Sequence, residues 1–268
     1  MANPSRQVAL VTGATGAIGL AICSGLARAP GFEVVLLGRD EARTRRAAQQ
    51  IRQETGNERV RFELADLSRE KEIRALAQRW QDPLHVLVNN AGATPRRRQA
   101  TPEGIELQFA TNVLGYFWMV RAFREILIRS APARVINVAS NYAGDLDLDD
   151  LQFRRRPYDN RRAYRQSKQA NRMLAAAFAR RLAEHDVTVN ACHPGDVNSR
   201  LSNDLGFGGS ESPEQGARTP VWLATSETGG RETGCYYADQ HAVRDPFMAD
   251  EQAVETLYDI CAGFSSRL

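Results

Sequence analysis

The stretch Val8-Ala9-Leu10-Val11-Thr12-Gly13-Ala14-Thr15-Gly16-Ala17-Ile18-Gly19 decides the fold class. In it an apolar run enters a glycine-rich turn, and the helical pattern Leu20–Ala29 follows. Glycines at a strand-to-helix turn let the backbone approach a pyrophosphate, and the helix N-terminus supplies amide donors and a favourable dipole. A lone glycine triplet is often only a turn. Here the strand before it, the helix after it and the small side chains between them favour a nucleotide site.

The rest of the chain repeats this alternation of apolar, β-branched runs and longer helical patterns. The runs predict strands at Val8–Thr12, Val34–Leu37, Val60–Glu63, Val86–Asn89, Val135–Ala139, Val187–Ala191 and, briefly, Cys235–Tyr237. Periodicity predicts helices near 17–28, 40–54, 69–80, 104–129, 162–184, 213–225 and 250–262. Central runs without period-two alternation are typical of parallel strands covered on both faces. We therefore predict a single α/β domain over 1–268, with a Rossmann-type, doubly wound, mainly seven-stranded parallel sheet flanked by helices.

Composition and charge exclude several function classes. The net charge of +3 over 268 residues is too small to indicate a nucleic-acid partner. No apolar run approaches the roughly 20 residues that a membrane-spanning helix needs, and the polar Met1–Gln7 does not resemble a signal peptide. The cysteines lack metal-ligand spacing, and Cys23 and Cys192 lie in apolar segments typical of buried thiols in a reducing compartment. We expect a cytoplasmic protein with no membrane anchor and no metal site.

Arginines are concentrated in three runs, Arg96-Arg97-Arg98, Arg154-Arg155-Arg156 and Arg161-Arg162. Runs of this kind usually form a solvated basic face. They would also suit a basic rim around a pocket for an anionic or polar ligand, and the sequence leaves both interpretations open.

The residues that follow the second and third strands indicate which dinucleotide binds. An acidic residue at the end of the second strand would accept both ribose hydroxyls and select NAD. Here Arg39 comes first after Gly38, and its guanidinium can pair with a 2′-phosphate and stack on adenine. Asp40 suits the N-cap of the next helix. We therefore favour NADP(H) over NAD(H), and Asp66-Leu67 after the third strand suits either an adenine contact or a helix cap.

Tyr164 and Lys168 are the strongest candidates for chemistry, because their spacing places them on one helical face. A lysine ammonium beside a tyrosine stabilises phenolate, so we expect a lowered tyrosine pKa. Ser140 ends the strand before them, where its hydroxyl could hold a substrate carbonyl near the phenol. Asn112 lies in a helical stretch although asparagine is a poor helix former. It is either a satisfied buried amide or the site of a local kink that positions water near Lys168.

These residues together resemble the short-chain dehydrogenases/reductases, and within them the retinol dehydrogenase-like branch. The marks are Thr12-Gly13-x2-Gly16-x2-Gly19, Asn89-Asn90-Ala91-Gly92, Asn112-x-Leu114-Gly115, Ser130-Ala131-Pro132-Ala133-Arg134, Ser140, Tyr164-x3-Lys168 with Ala170-Asn171, and Val189-Asn190-x3-Pro194-Gly195. They span about residues 7–240. Ser140 and Tyr164 are 24 positions apart, a separation longer than in most of the wider family and similar to that of this branch.

The resemblance implies an NADP(H)-dependent oxidoreductase that interconverts a carbonyl and an alcohol by hydride transfer. Tyr164 would be the general acid/base, and Lys168 would orient the nicotinamide ribose. Ser140 would polarise the carbonyl, and Asn112 would complete a proton relay. Pattern and resemblance together assign cofactor binding to Gly13, Thr15, Gly16, Ile18, Gly19, Arg39, Asp66, Leu67, Asn90, Ala91, Gly92, Tyr164, Lys168, Pro194, Gly195 and Val197.

Several functional questions stay open at the level of sequence. Two long segments, 141–162 and 196–212, are expected to be substrate loops, and Leu201–Ser212 reads either as a lid with an apolar lining or as a surface loop. We expect a small-molecule substrate that is bulky and partly apolar. A redox sensor or scaffold that binds NADP(H) without turnover, and a carbon–carbon double-bond reductase, are the alternatives. The helices near 104–129 and 162–184 would form a homodimer interface by resemblance, or bury their aromatic residues in the core.

Overall fold

A computed structural model describes residues 6–265 of the chain, so most of the polar Met1–Gln7 segment lies outside the described residues. An eight-stranded sheet has the order β3-β2-β1-β4-β5-β6-β7-β8. The strands are β1 (Gln7–Thr12), β2 (Phe32–Gly38), β3 (Val60–Leu64), β4 (Val86–Asn89), β5 (Ala133–Val138), β6 (Val187–His193), β7 (Tyr236–Ala238) and β8 (His241–Val243). The first seven strands are parallel, which confirms the predicted doubly wound α/β sheet.

The eighth strand is the one that the sequence did not predict. It pairs antiparallel with β7 through a hairpin whose turn residues Asp239 and Gln240 have φ values of 46° and 65°. A positive φ at both central positions matches the twist of a tight hairpin. Three exposed residues carry too little hydrophobic pattern to reveal a strand.

The helices are α1 (Ala17–Arg28), α2 (Glu41–Thr55), α3 (Glu70–Arg79), α4 (Gly115–Arg129), α5 (Asn160–Leu182), α6 (Arg200–Asp204), α7 (Pro213–Thr225), α8 (Glu227–Arg231), α9 (Pro246–Ala249) and α10 (Glu251–Gly263). The seven predicted helices are all present. The short α6, α8 and α9 were not predicted, because four or five residues make little more than one turn and show no repeated pattern. The stretch predicted as one helix over 104–129 is corrected to a π-helical turn, Phe109–Leu114, followed by α4.

The order of the strands determines where the candidate site lies in the sheet. β1 lies between β2 and β4, with Val11 opposite Leu36 on one side and Val88 on the other. The chain therefore winds in opposite directions from β1, and the carboxyl ends of β1 and β4 border a crevice. None of the described helices is both long and apolar enough to cross a membrane. Cys23 and Cys192 are buried free thiols, as predicted.

The aromatic residues of α4 and α5 belong to the core. Phe117 and Phe123 are fully buried, and Trp118 and Phe178 are 3% and 4% exposed. α10 packs along α5 and sets Tyr258 edge-on against Phe117 and Phe178, with ring centroids 5.1 and 5.4 Å apart. Between the two interpretations of these aromatics, the structure selects the core.

Leu257→Ala tests whether α10 is an integral layer of the fold. Leu257 is fully buried, so the substitution should lower the free energy of unfolding by about 2–5 kcal/mol. Gln252→Ala, on the exposed side of the same helix, should change it by less than about 0.5 kcal/mol. Denaturant unfolding of both variants measures the difference, and equal effects would show that α10 does not bury its apolar face.

Candidate active site

The glycine turn after β1 packs directly on the residues that follow β4. Gly13 has φ +63°, and a Cβ there would lie 2.7 Å from the Ala91 Cα. A Cβ on Gly19 would lie 2.3 Å from the Gly13 carbonyl oxygen and 2.7 Å from the Asn90 Nδ2. Side chains are therefore excluded at both positions, and the backbone around the start of α1 stays open to a ligand.

Hydrogen bonds fix the mutual position of these two strand ends. Thr12 Oγ1 accepts from the backbone N–H groups of Asn90 at 2.8 Å and Ala91 at 3.1 Å. The Asn90 side chain donates back to the Thr12 carbonyl oxygen at 2.9 Å. These bonds join the two strand ends at the floor of the crevice. Of the remaining predicted residues here, Thr15 and Ile18 are half-buried, and Gly16 and Gly92 are exposed.

At the end of β2, Asp40 caps α2, because its side chain accepts from the Arg43 N–H at 2.9 Å. Arg39 is exposed, so its guanidinium is accessible to a ligand. A Cβ on Gly38 would lie 2.2 Å from Thr44 Oγ1, which shows how closely this strand end packs on α2.

At the end of β3, the Asp66 carboxylate accepts from the backbone N–H and the hydroxyl of Ser68, at 2.9 and 2.8 Å. The Asp66 carboxylate thus closes the turn that precedes α3. The N-cap residue of α3 is Arg69 and not Asp66. Leu67 is buried.

The structure brings Ser140, Tyr164 and Lys168 together beyond the end of β5. Tyr164 and Lys168 lie on one face of α5, and both are almost fully buried. The Lys168 ammonium donates to the Val138 carbonyl oxygen at 2.8 Å and lies 5.5 Å from the centroid of the Tyr164 ring. Ser140 is 8% exposed, and its side chain lies close enough to Tyr164 to act against the rise of the tyrosine pKa.

Burial dominates the ionisation of this pair. It raises the pKa of Tyr164 to about 12, although the hydrogen bond from Ser140 works in the opposite direction. Burial also lowers the pKa of Lys168 to about 8. The lowered tyrosine pKa that we expected from the spacing is therefore wrong for the chain by itself, because desolvation disfavours the charged form of both groups.

Asn112 is a satisfied buried amide within a local irregularity of the helix, and its positioning of water near Lys168 stays a prediction. It lies in the π-helical turn, a local departure from α-helix that widens the backbone at this point. Its fully buried amide accepts from the Ala93 N–H at 2.7 Å and donates to the Ala93 carbonyl oxygen at 3.0 Å. Its Nδ2 also lies 3.3 Å from Ser167 Oγ, next to Lys168 in sequence.

The segment after β6 closes the other side of the site. Gly195 has φ +96°, and a Cβ there would lie 1.8 Å from a Glu211 carboxylate oxygen. Val197 is buried and pairs with Glu211 in an isolated parallel bridge. Pro194 and Gly195 line a cavity of about 350 Å³ whose other walls include His193, Arg218 and Asp239.

The 196–212 segment folds over the reacting residues. Leu201 reaches the Gly92 backbone, where a Cβ would lie 3.0 Å from its Cδ1. Phe207 packs edge-on against Tyr142 with ring centroids 5.0 Å apart, and Tyr142 lies stacked 6.4 Å from Tyr164. Arg161 Nε donates to the Leu205 carbonyl oxygen at 2.8 Å. Arg161, from one of the arginine runs, therefore holds this segment in place.

Sequence reasoning missed three residues that surround Ser140. Tyr142 belonged to a segment read only as a loop, and His193 was passed over although it precedes Pro194-Gly195. Arg172 follows Lys168 by four positions, so the helical spacing that identified Tyr164 and Lys168 could have found it.

Comparison with known proteins agrees with this geometry. The family described as short chain dehydrogenase matches residues 7–206. Human retinol dehydrogenase 13 is 34% identical, over 95% of this chain and 83% of its own length. A probable oxidoreductase of Streptomyces antibioticus is 36% identical, over 88% of this chain and 86% of its own length.

Solved structures share the fold. An uncharacterized protein from Mycobacterium paratuberculosis superposes with a TM-score of 0.80 at 25% identity, covering 98% of this chain and 96% of that one. RhlG of Pseudomonas aeruginosa, in an active-site complex with NADP, superposes with a TM-score of 0.72 at 28% identity, covering 88% and 96%. The glycine cradle between β1 and β4 leaves open backbone where a nicotinamide dinucleotide would lie, so the residues present fit that group.

Gly19→Ala tests the cradle. The added methyl group meets the Gly13 carbonyl oxygen and Asn90, and a displacement of the cradle that costs about 1–3 kcal/mol should lower dinucleotide affinity by roughly 5–150-fold. Gly263→Ala is the matched control, because a Cβ at that helical glycine meets nothing within 4 Å. Fluorescence titration with dinucleotide measures both, and equal affinities would contradict the role of Gly19.

Proposed function

This chain belongs to the short-chain dehydrogenase family, as a retinol dehydrogenase-like oxidoreductase acting on CH–OH and C=O groups, and from that premise we propose its cofactor and its mechanism. The proposed cofactor is NADP(H). The proposed reaction interconverts a ketone or aldehyde and an alcohol, with Tyr164 as general acid/base. The observation that carries the proposal is the meeting of Ser140, Tyr164 and Lys168 at the carboxyl end of β5.

In the proposed mechanism the hydroxyls of Ser140 and Tyr164 hydrogen-bond the substrate carbonyl oxygen. A bound nicotinamide supplies the hydride for reduction, or accepts it in the reverse direction. As negative charge grows on the oxygen, Tyr164 donates its proton, and hydrogen bonds that strengthen at this stage lower the barrier. Lys168 would return a proton to the phenol through water, and Asn112, whose Nδ2 lies 3.3 Å from the Oγ of Ser167, would help to hold that water.

Burial of Tyr164 supports the reductive direction near neutral pH. Because the pKa of Tyr164 is raised to about 12, the phenol keeps the proton that reduction consumes. Oxidation of an alcohol needs the phenolate, so its rate should increase as the pH rises. The positive charge of Lys168, whose pKa is about 8, favours that phenolate only while the ammonium keeps its proton.

NADP(H) rather than NAD(H) is proposed because of the residues after β2. Arg39 is exposed there, while Asp40 is committed to capping α2. A carboxylate that already accepts a backbone N–H has fewer acceptor sites left for the two hydroxyls of an adenosine ribose. A free guanidinium suits a 2′-phosphate, with which it can form two hydrogen bonds.

The substrate is proposed to be bulky and partly apolar. Tyr142 and Phe207 form an aromatic wall beside Tyr164, and Leu201 adds an aliphatic side chain near Gly92. The 196–212 segment would act as the lid over this wall. Cytoplasmic location and homodimer formation stay predictions.

Tyr164→Phe tests the proposed chemistry. Loss of the acid/base group should lower kcat by about 10²–10⁴-fold while leaving NADPH affinity nearly unchanged. NADPH absorbance is followed with a panel of ketones and aldehydes, and product analysis separates carbonyl from carbon–carbon reduction. Wild-type protein that binds NADPH but consumes none would favour the redox sensor. Full activity of the variant would remove Tyr164 from the chemistry.

Arg39→Ala tests the proposed cofactor preference. Loss of a charge-assisted contact with a 2′-phosphate, worth about 1.5–3 kcal/mol, should raise the KM for NADPH by roughly tenfold or more and leave the KM for NADH unchanged. Arg46→Ala, an exposed arginine farther along α2, is the control. A parallel change for both cofactors would show that Arg39 does not read the phosphate.

A further inference from the structure

A buried ion pair lies directly behind the reacting residues. Arg172 is one helical turn beyond Lys168 on α5, and its side chain is 8% exposed. Its Nη1 donates to Asp245 Oδ2 at 2.8 Å, and the Asp245 side chain is 3% exposed. Such a pair is weak evidence for stability, because the desolvation of two charges offsets their attraction. The role of the pair therefore depends on the other groups that the Arg172 guanidinium contacts.

The second guanidinium nitrogen contacts the backbone of Ser140. Arg172 Nη2 donates a hydrogen bond to the Ser140 carbonyl oxygen. On the other side of the same peptide unit, the Asn141 N–H donates to His193 Nδ1 at 3.2 Å. A peptide is planar, so bonds to both of its polar groups fix the rotation of the plane. Ser140, whose hydroxyl accepts from the Tyr142 N–H at 3.1 Å, is attached to this fixed plane.

Aromatic rings hold the guanidinium in place. The Arg172 Cζ lies 3.8 Å from the centroid of Tyr236 and 5.6 Å from that of Phe247. The Tyr236 hydroxyl donates to Asn141 Oδ1 at 2.8 Å. Asp245 also accepts the N–H groups of Phe247 and Met248 at the start of α9. The pair therefore ties β7, α9 and the Ser140–Asn141 peptide together.

We propose that Arg172 is a positioning residue that, held by Asp245, orients the Ser140–Asn141 peptide so that the Ser140 hydroxyl faces the substrate carbonyl beside Tyr164. This inference rests on the proposed function, in which Ser140 binds that carbonyl. The planar guanidinium of Arg172 donates to the Asp245 carboxylate from one nitrogen and to the Ser140 carbonyl oxygen from the other. A methionine of similar length fills the space without either bond.

The test compares kcat in four proteins: wild type, Arg172→Met, Ser140→Ala and the double variant. A misplaced reacting group can cost about 10²-fold, so Arg172→Met should lower kcat by roughly 10–100-fold. If Arg172 acts through Ser140, adding Arg172→Met to Ser140→Ala should lower kcat by less than about threefold more. Full additivity of the two losses would overturn the proposal.

The pH profile of alcohol oxidation gives a second readout. The hydrogen bond from Ser140 lowers the pKa of Tyr164. Its loss in Arg172→Met should therefore move the rise of the oxidation rate to higher pH. A variant that is less stable but keeps the wild-type profile would assign Arg172 a structural role only and overturn the proposal.

Two further variants separate positioning from folding. Arg181→Met lies on the same helix and removes an ion pair with Glu255 and a contact with the Tyr258 ring. It should lower thermal stability while leaving kcat and the pH profile unchanged. Arg172→Met combined with Asp245→Asn removes both buried charges and keeps an acceptor for the α9 cap. It should regain stability relative to Arg172→Met but keep its low kcat, and a wild-type kcat would overturn the proposal.

Failure of the proposed function can be distinguished from failure of the inference about Arg172. In that case wild-type protein would consume no NADPH with any carbonyl compound. Crystal structures of the wild type and of the Arg172→Met/Asp245→Asn variant would still decide the inference. A turned Ser140–Asn141 peptide in the variant supports positioning by Arg172, and an unchanged peptide overturns it.

Discussion

The site depends on the buried ammonium of Lys168. Lys168 is 3% exposed, donates to the Val138 carbonyl oxygen and lies within 5.7 Å of the ring centroids of Tyr116 and Tyr164. A buried ammonium needs such partners, because burial without them costs several kcal/mol. The bond to the end of β5 fixes α5 against the sheet. Tyr164, one turn earlier, is thereby brought to Ser140.

Burial sets the chemical state of the pair as well as its position. On a helix in water, a lysine ammonium and a tyrosine phenolate four positions apart would attract one another only modestly. Inside the protein, desolvation is the larger effect. It raises the pKa of Tyr164 and lowers the pKa of Lys168, so it favours the neutral form of each group. Tyr164 is consequently protonated at neutral pH. Ser140 provides the interaction that opposes this shift, so the orientation of Ser140 influences the acidity of Tyr164.

Much of what supports the reacting residues comes from the part of the chain after the short-chain dehydrogenase match, which ends at residue 206. Phe207 packs on Tyr142, and Tyr236 and Asp245 hold Arg172 behind Ser140. α10 covers the aromatic face of α4 and α5 with Tyr258. The part of the chain that matches the family thus supplies the cradle and the candidate reactive groups, and the last quarter helps to bury and orient them.

The sequence by itself determined the strand–helix alternation, the glycine turn and the residues Ser140, Tyr164 and Lys168, because periodicity and spacing are local and survive without tertiary contacts. The cap at Asp40 and the irregular helix around Asn112 were local as well. Only the tertiary structure decided the direction of the Tyr164 pKa shift and the placement of the α4 and α5 aromatics in the core. It also decided the grouping of Arg172, His193 and Asp245 around one peptide. Each of these depends on burial or on contacts between distant segments. Burial and long-range contacts cannot be deduced from the spacing of residues along the chain.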